Sequence, residues 1–193
     1  MSRLCRRMGR VRILALLLFA FAACHAGAAD ELWDLLRGGG QVVLIRHALT
    51  DPGSGDPPDF RLADCSTQRN LSEEGRAQAR RIGEAFRLHR IPVERVLSSP
   101  WCRCVETASL AFGAAELSRL LSNLFGRSES RQKAVDELTA LAGTPRPGGN
   151  LILVTHGSTI LALTRIPVHM GEIMVLTPQG DGRFALAGRF SVP

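Results

Sequence analysis

The chain has 193 residues, of which 45% are hydrophobic and 22% charged, a composition that excludes a disordered, collagenous or coiled-coil protein. Its 24 Lys and Arg residues against 18 Asp and Glu residues give a formal net charge of +6, which would suit a protein that binds nucleic acid or anionic lipid. Residues 1–29 hold five arginines and no acid, however, so the chain from Asp30 onward carries only +1. We therefore expect no nucleic-acid partner.

The first 28 residues have the three-part order of a secretory signal peptide. Arginines up to Arg12 precede the apolar run 13–23, which is shorter than the roughly 20 residues that span a bilayer. Ala26-Gly27-Ala28 supplies small residues for cleavage. We predict a signal peptide over 1–28, a single domain over 29–193, and a periplasmic or secreted protein.

Two other interpretations of this segment stay open. Residues 21–24 (Phe-Ala-Ala-Cys) resemble a lipobox in which Phe21 stands where Leu is usual, so cleavage before Cys24 would give a lipoprotein. Only in that case do we expect membrane attachment. The third interpretation is an uncleaved anchor or a buried N-terminal helix.

The first half of the domain predicts a strand, a long loop, a helix and a second strand. The β-branched run 41–46 (QVVLIR) is typical of a buried strand, and the loop 50–70 is rich in Gly, Pro and Asp. Ser72 suits the N-cap of a helix that ends near His89. A second strand is predicted over 93–99.

The second half repeats this alternation. We predict a helix that has Pro100 in its first turn and runs to Phe112, a helical segment over 114–127, and a helix over 130–141 that stops at Gly143. A strand over 151–155 and a helix from Gly157 follow. Two more strands, over 173–177 and 183–190, are predicted around a Gly180-Asp181-Gly182 turn. Buried strands that alternate with helices predict an α/β fold. We expect a three-layer sandwich, with a mainly parallel central sheet and helices on both faces.

Three cysteines follow the predicted signal peptide: Cys65, Cys102 and Cys104. Because the number is odd, at most one disulfide forms, and Cys65 could pair with either of the others. Cys102 and Cys104 are two residues apart on a predicted helix and do not face each other. Three buried thiols are the alternative, and no spacing of His and Cys residues indicates a structural zinc.

Ionisable residues follow three of the predicted strands. Arg46 and His47 come at the end of the first strand, Arg103 just past the second, and His156 directly after the third. Ligands collect at this edge of an open parallel sheet, so we expect these side chains to form a cationic pocket. Guanidinium groups suit phosphate oxygens, the helix N-terminus at Gly157 adds N–H donors, and a neutral imidazole can attack phosphorus.

Four segments, LIRHALT, NLSEEGRAQA, VLSSPWCRCVETA and LVTHGSTILAL, resemble the histidine phosphatase superfamily (phosphoglycerate mutase-like) over residues 42–163. The resemblance implies the phosphoglycerate mutase-like fold. It also implies that His47 becomes transiently phosphorylated while Arg46, Arg103 and His156 bind the phosphoryl group and stabilise its charge. No metal and no organic cofactor is required in that scheme.

The sequence departs from the family at two places. Ala48 replaces the glycine that usually follows Arg-His, a mild change because alanine is the smallest replacement. The acid that protonates the leaving oxygen has no clear counterpart, since Gly157-Ser158 follows His156 and residues 120–123 (Leu-Leu-Ser-Asn) hold no carboxylate. The candidate replacements are Glu116, Asp51, Asp56 and Asp59, although a solvated turn is the simpler interpretation of each aspartate. We expect Glu106 to form a structural ion pair with an arginine.

The sequence therefore predicts an exported phosphatase that hydrolyses phosphomonoesters through a phosphohistidine on His47. The expected partner is a phosphorylated small molecule or envelope glycan, and the oligomeric state stays open. One alternative is a non-catalytic phosphate- or phosphoglycan-binding protein of the same fold, and another is a protein-phosphohistidine phosphatase. The predicted helix 72–89 carries four further arginines, which we interpret as a solvated face rather than a nucleic-acid patch: Arg76, Arg80, Arg81 and Arg87.

Overall fold

The computed structural model describes residues 29–53, 55–126 and 131–193, so the predicted signal peptide lies outside the described residues. The strands are β1 (Val42–Arg46), β2 (Val93–Ser98), β3 (Glu116–Leu117), β4 (Asn150–Thr155), β5 (Ile173–Gly180) and β6 (Arg183–Phe190). The helices are α1 (29–37), α2 (Glu73–Leu88), α3 (Cys102–Phe112), α4 (Arg131–Gly143) and α5 (Gly157–Thr164).

Within the described ranges, six strands form one mixed sheet in the order β3-β2-β4-β1-β5-β6. The pairings among β3, β2, β4 and β1 are parallel, whereas β5 and β6 are antiparallel to their neighbours. The last two strands form the predicted hairpin. Asp181 (φ 51°) and the glycines on either side of it adopt the left-handed conformation that such a turn requires.

Alternate residues of the central strands face opposite layers, as a period of two dictates. Val43 and Ile45 of β1 belong to a core cluster shared with α1, α2 and α3, whereas Val42 and Leu44 belong to a second cluster shared with α4 and α5. The sheet is thus covered by helices on both faces, which confirms the predicted α/β three-layer sandwich.

Ser72 caps α2 as predicted, with its side chain accepting a hydrogen bond from Gly75 N. Pro100 does not lie in the first turn of the next helix, because α3 begins at Cys102, after an extended Trp101. The predicted helix over 114–127 is wrong. The described part of this segment holds β3 and a 3-10 turn at Arg119–Leu121, because residues 116–117 pair with the end of β2.

Of the two pairings that the sequence leaves open for Cys65, the structure has the one with Cys102. Cys65 and Cys102 form a disulfide, and Cys104 is a buried free thiol.

In the described part of the chain no helix combines the length and apolarity needed to cross a membrane. Among the same residues, no three His, Cys, Asp or Glu side chains come together as a metal-ligand set.

Candidate active site

The carboxyl ends of β1, β2 and β4 meet at one edge of the sheet, where the residues that follow the strands lie side by side. The parallel register places Arg46 beside Thr155. The ring centroids of His47 and His156 are 5.5 Å apart, and Ser99 contacts His156 across the gap between two strands. Strand order and direction therefore bring together side chains that are more than 50 positions apart in the sequence.

His47 is a buried, neutral imidazole with one nitrogen left free. Its Nδ1 lies 2.9 Å from the carbonyl oxygen of Ala48. A carbonyl oxygen only accepts, so Nδ1 carries the proton and Nε2 keeps the lone pair. Burial lowers the pKa of His47 to about 3; the hydrogen bond to Ala48 raises it, and the charges of Arg103, Arg46 and Arg69 lower it further.

The backbone of Ala48 is held by Thr107 of α3, whose Oγ1 accepts from Ala48 N at 3.0 Å and donates to Arg103 O at 2.6 Å. Ala48 is not among the described residues with a positive φ, so the replacement of the usual glycine strains nothing here. This contact also connects the loop after β1 to the helix that carries Arg103.

His156 lies between a hydroxyl and a guanidinium. Its Nε2 is 2.8 Å from Ser99 Oγ, and its Nδ1 is 3.4 Å from Arg103 Nη2. Because a guanidinium only donates, Nδ1 accepts and the proton resides on Nε2. Burial and the nearby charges of Arg103, His47 and Arg46 hold the pKa of His156 well below its usual range, so this ring is also neutral.

Arg103 forms a buried pair with Asp56, one of the four candidate acids. Nη1 and Nη2 donate to the two carboxylate oxygens at 2.6 and 3.2 Å, and the two side chains are 2% and 6% exposed. Trp101 Nε1 and Arg69 N also donate to this carboxylate, both at 3.1 Å. Burial alone would raise the pKa of Asp56, but these hydrogen bonds and the charge of Arg103 together lower it, so Asp56 is ionised and orients Arg103.

Arg69 is a third cation of the site, beyond those that the sequence predicts. It lines the same cavity as Arg46 and Arg103, and burial together with the charge of Arg103 lowers its pKa. The Nε atoms of all three arginines are buried without a hydrogen-bond partner. Three guanidinium groups and the Asp56 carboxylate leave two net positive charges, which match the charge of about −2 on a phosphoryl group.

The cavity between these groups has a volume of about 500 Å³. Its lining includes the two histidines, the three arginines and Gly157 at the N-terminus of α5. Gly157 lets the guanidinium of Arg46 pack closely, because an added Cβ would lie 3.2 Å from three of its atoms. The rest of the described lining comprises Asn123, Phe125, Ser158, Leu161, Pro167 and Val168, and Val168 O accepts from Arg46 Nη1 at 2.7 Å.

Residues 42–123 match the sequence model of the histidine phosphatase superfamily (branch 1). The matched segment includes Arg46, His47 and Arg103, so this part of the chain is similar to the superfamily. The match and the fold support the enzyme class of a phosphatase, a phosphoric monoester hydrolase. No curated protein matches the sequence.

Three solved structures with the same fold each align with most of this chain. The protein Rv3214 of Mycobacterium tuberculosis is 19% identical, with a TM-score of 0.59 over 79% of this chain and 98% of its own. The phosphoserine phosphatase of Entamoeba histolytica, solved with phosphoserine, is 14% identical, with a TM-score of 0.55 over 77% and 95%. The protein histidine phosphatase SixA, solved with tungstate, is 19% identical, with a TM-score of 0.54 over 78% and 96%.

None of the described residues that line the cavity of this phosphatase is acidic. Asp56 contacts the site only through Arg103 and its neighbours, and Glu116 forms an exposed pair with Arg95 on β2. Asp51 and Asp59 are exposed and lie outside the cavity. Glu106 forms the expected structural ion pair, with its Oε1 accepting from Arg76 Nε at 2.7 Å.

The structure thus gathers all four predicted site residues, His47, Arg46, Arg103 and His156, in one cavity. Their catalytic roles stay predictions. Arg69 carries no local signal, because it lies in the loop 50–70, whose path depends on tertiary contacts. Ser99 could be predicted from the sequence, because it is a polar residue directly after a buried strand, at the edge of the sheet where ligands collect.

Proposed function

We propose that this protein is an exported phosphatase that hydrolyses phosphomonoesters through a phosphohistidine on Nε2 of His47. The observation that carries the proposal is the state of this imidazole. Its Nδ1 is committed to Ala48 O, and its pKa of about 3 keeps Nε2 unprotonated at neutral pH. A neutral nitrogen with a free lone pair among three arginines is a nucleophile beside a phosphoryl binding site.

In the first step, Nε2 of His47 attacks phosphorus while the bond from phosphorus to the leaving oxygen breaks. Charge on the phosphoryl oxygens is stabilised by the guanidinium groups of Arg46, Arg69 and Arg103. Asp56 contributes by orienting the guanidinium of Arg103.

His156 assists as a hydrogen-bond donor once the phosphoryl group occupies Arg103. The hydroxyl of Ser99 can donate as well as accept. When it donates to Nε2 of His156, the proton of the ring resides on Nδ1 and is available to a phosphoryl oxygen. In the second step, water attacks the phosphohistidine, inorganic phosphate leaves, and Nε2 of His47 regains its lone pair.

The absence of acidic residues among the described cavity lining favours substrates that leave without protonation by a carboxylic acid. Aryl phosphates and phosphoramidates such as phosphohistidine meet this condition, so protein-phosphohistidine phosphatase activity falls within the proposal. A phosphorylated small molecule or an envelope glycan phosphate is the physiological substrate class that export suggests.

Export is supported by two features. The N-terminal segment has the order of a signal peptide. The Cys65–Cys102 disulfide is of a kind that persists in oxidising compartments such as the periplasm. Cleavage after Ala28 would leave α1 intact, and Leu36 of α1 is fully buried in the core.

The test is hydrolysis of an aryl phosphate by the purified protein, by the His47→Ala variant and by a matched control, His169→Ala. His169 is an exposed histidine that does not line the cavity. We expect wild-type turnover in the control and none in His47→Ala. Equal rates in all three proteins would refute the nucleophile assignment.

The same lack of an acidic lining residue also favours a second candidate, a non-catalytic phosphate- or phosphoglycan-binding protein. That candidate predicts thermal stabilisation by inorganic phosphate with no turnover of any ester by the wild-type protein.

A further inference from the structure

Part of the cavity wall is formed by Asn123 and Phe125 of the segment 121–125, which is tied to the junction between β4 and α5. Ser158 Oγ donates to Asn123 Oδ1 at 2.6 Å and accepts from Leu124 N at 3.2 Å. Two further hydrogen bonds fasten the same segment, from Thr155 Oγ1 to Leu121 O and from Thr159 Oγ1 to Ser122 O. Asn123 is therefore held in a fixed position relative to His156, which lies between the same two elements.

The side-chain amide of Asn123 has one possible orientation. Its Oδ1 accepts from Phe125 N at 3.1 Å as well as from Ser158 Oγ. A backbone N–H only donates, so the atom that faces it is the oxygen, and both lone pairs of Oδ1 are used. Nδ2 makes no hydrogen bond with any residue in the described part of the chain, and Asn123 lines the cavity. The amide thus offers two free N–H groups there.

The surroundings of Asn123 are apolar rather than cationic. Phe125 is 82% exposed and Leu161 is 40% exposed, and both line the cavity. The arginines bind the phosphoryl group, and Ser158, which holds Asn123, directly follows Gly157 beside the Arg46 guanidinium, so the leaving group lies next to Asn123. A leaving group with an apolar or aromatic face suits these neighbours.

We infer that Asn123 contacts the leaving group, with its Nδ2–H donating to the leaving oxygen. This inference rests on the phosphatase function proposed above. An amide stabilises a developing oxyanion by a hydrogen bond but cannot transfer a proton at neutral pH. Asn123 is accordingly the residue that restricts the enzyme to leaving groups that depart as anions or that already carry their proton.

The proton and electron balance follows from this assignment. In the wild-type protein, His47 Nε2 bonds to phosphorus, and the leaving oxygen takes the electron pair of the broken bond and departs as an anion, later protonated by water. In an Asn123→Asp variant, the protonated carboxyl group gives its proton to the leaving oxygen. The resulting carboxylate then accepts a proton from the water that attacks the phosphohistidine.

The experiment compares wild type, Asn123→Asp and Asn123→Ala on a series of aryl phosphates and on an alkyl phosphate, at pH values from 4.5 to about 8. For Asn123→Asp we expect the ratio of alkyl to aryl kcat/KM at low pH to rise about 100-fold, the scale of general acid catalysis. This gain should disappear as the pH rises and the new carboxyl group ionises. For Asn123→Ala we expect turnover of aryl phosphates to fall about tenfold, the scale of one hydrogen bond to a charged group.

Competitive inhibition by inorganic phosphate is the control for folding. Its fourth oxygen occupies the position of the leaving oxygen, so its affinity for Asn123→Ala should fall by no more than about tenfold, the scale of one hydrogen bond to a charged group. The three arginines still bind the other oxygens, so retained inhibition shows that the variants fold. A leaving-group ratio that neither variant changes, in proteins that still bind phosphate and turn over aryl phosphates, would overturn the role of Asn123 alone. Absence of turnover in the wild-type protein would instead overturn the proposed phosphatase function and this inference with it.

Discussion

The disulfide between Cys65 and Cys102 gives a quantitative prediction, because it closes a chain segment that carries part of the active site. The two cysteines are separated by 37 positions, and the enclosed loop includes Arg69. The chain-entropy model assigns a bridge over such a loop a stabilisation of about 4 kcal/mol at 25 °C. That is a large part of the 5–15 kcal/mol of a typical domain.

The assay is urea unfolding of the oxidised protein, of the protein reduced with a thiol, and of the Cys65→Ser/Cys102→Ser double variant. The reduced protein and the double variant should both be about 4 kcal/mol less stable than the oxidised protein, and the double variant should not respond to the reductant. Binding of inorganic phosphate should weaken in parallel, because Cys102 directly precedes Arg103.

A loss of less than about 1 kcal/mol would refute this reasoning. It would mean that the noncovalent contacts already hold the loop in place. Those contacts are the Asp56–Arg103 pair and the hydrogen bond from Cys102 N to Gln68 Oε1 at 3.1 Å.

Three other perturbations follow from the packing and charges of the site. The pKa of His47 is about 3 in the folded protein and 6.5 ordinarily. Between these pH values the imidazole is therefore protonated in the unfolded chain and neutral in the folded protein. Between these two pH values the free energy of unfolding should fall by about 1.4 kcal/mol for each pH unit of acidification. Urea unfolding repeated across this pH range should show that His47→Gln lacks this contribution. Asp56→Asn should lower the free energy of unfolding by about 3 kcal/mol in the same assay, because it leaves Arg103 buried without its counter-charge. The loss should be smaller in saturating phosphate, which supplies negative charge. An unchanged urea midpoint would contradict this. Gly83→Ala should lower the free energy of unfolding by about 1–3 kcal/mol, because the added methyl group overlaps the backbone of Ala111 on α3. If the variant were as stable as the wild type, α2 and α3 would be able to move apart without cost.

The central strands and the candidate site residues at their ends could be predicted from the sequence, because each strand is a short apolar run followed at once by charged or polar residues. β1 and β4 are buried on both faces, and their lengths of five and six residues favour strands over helices. Their ends locate His47 and His156 at the edge of the sheet from sequence alone. The order of the strands in the sheet could not be predicted, since it depends on long-range pairing.

The loop 50–70 and the segment after α3 could not be predicted in the same way. β3 has only two residues, and its conformation comes from pairing with Leu97 and Ser98 of β2 rather than from its own sequence. Arg69 reaches the cavity because Asp56 and the disulfide fold the loop back on α3, contacts that no local pattern encodes. The structure therefore changes Asp56 from a candidate proton donor into the partner of Arg103.

The most direct test of the proposed mechanism is to trap the covalent intermediate. The purified protein is mixed with an aryl phosphate, quenched in alkali within the first turnover, where phosphohistidine survives, and analysed by mass spectrometry of its peptides. We predict a phosphoryl group on His47, on Nε2 by NMR, and none in His47→Ala. Turnover that proceeds with no phosphoryl group on His47, or with one on His156 instead, would contradict the mechanism.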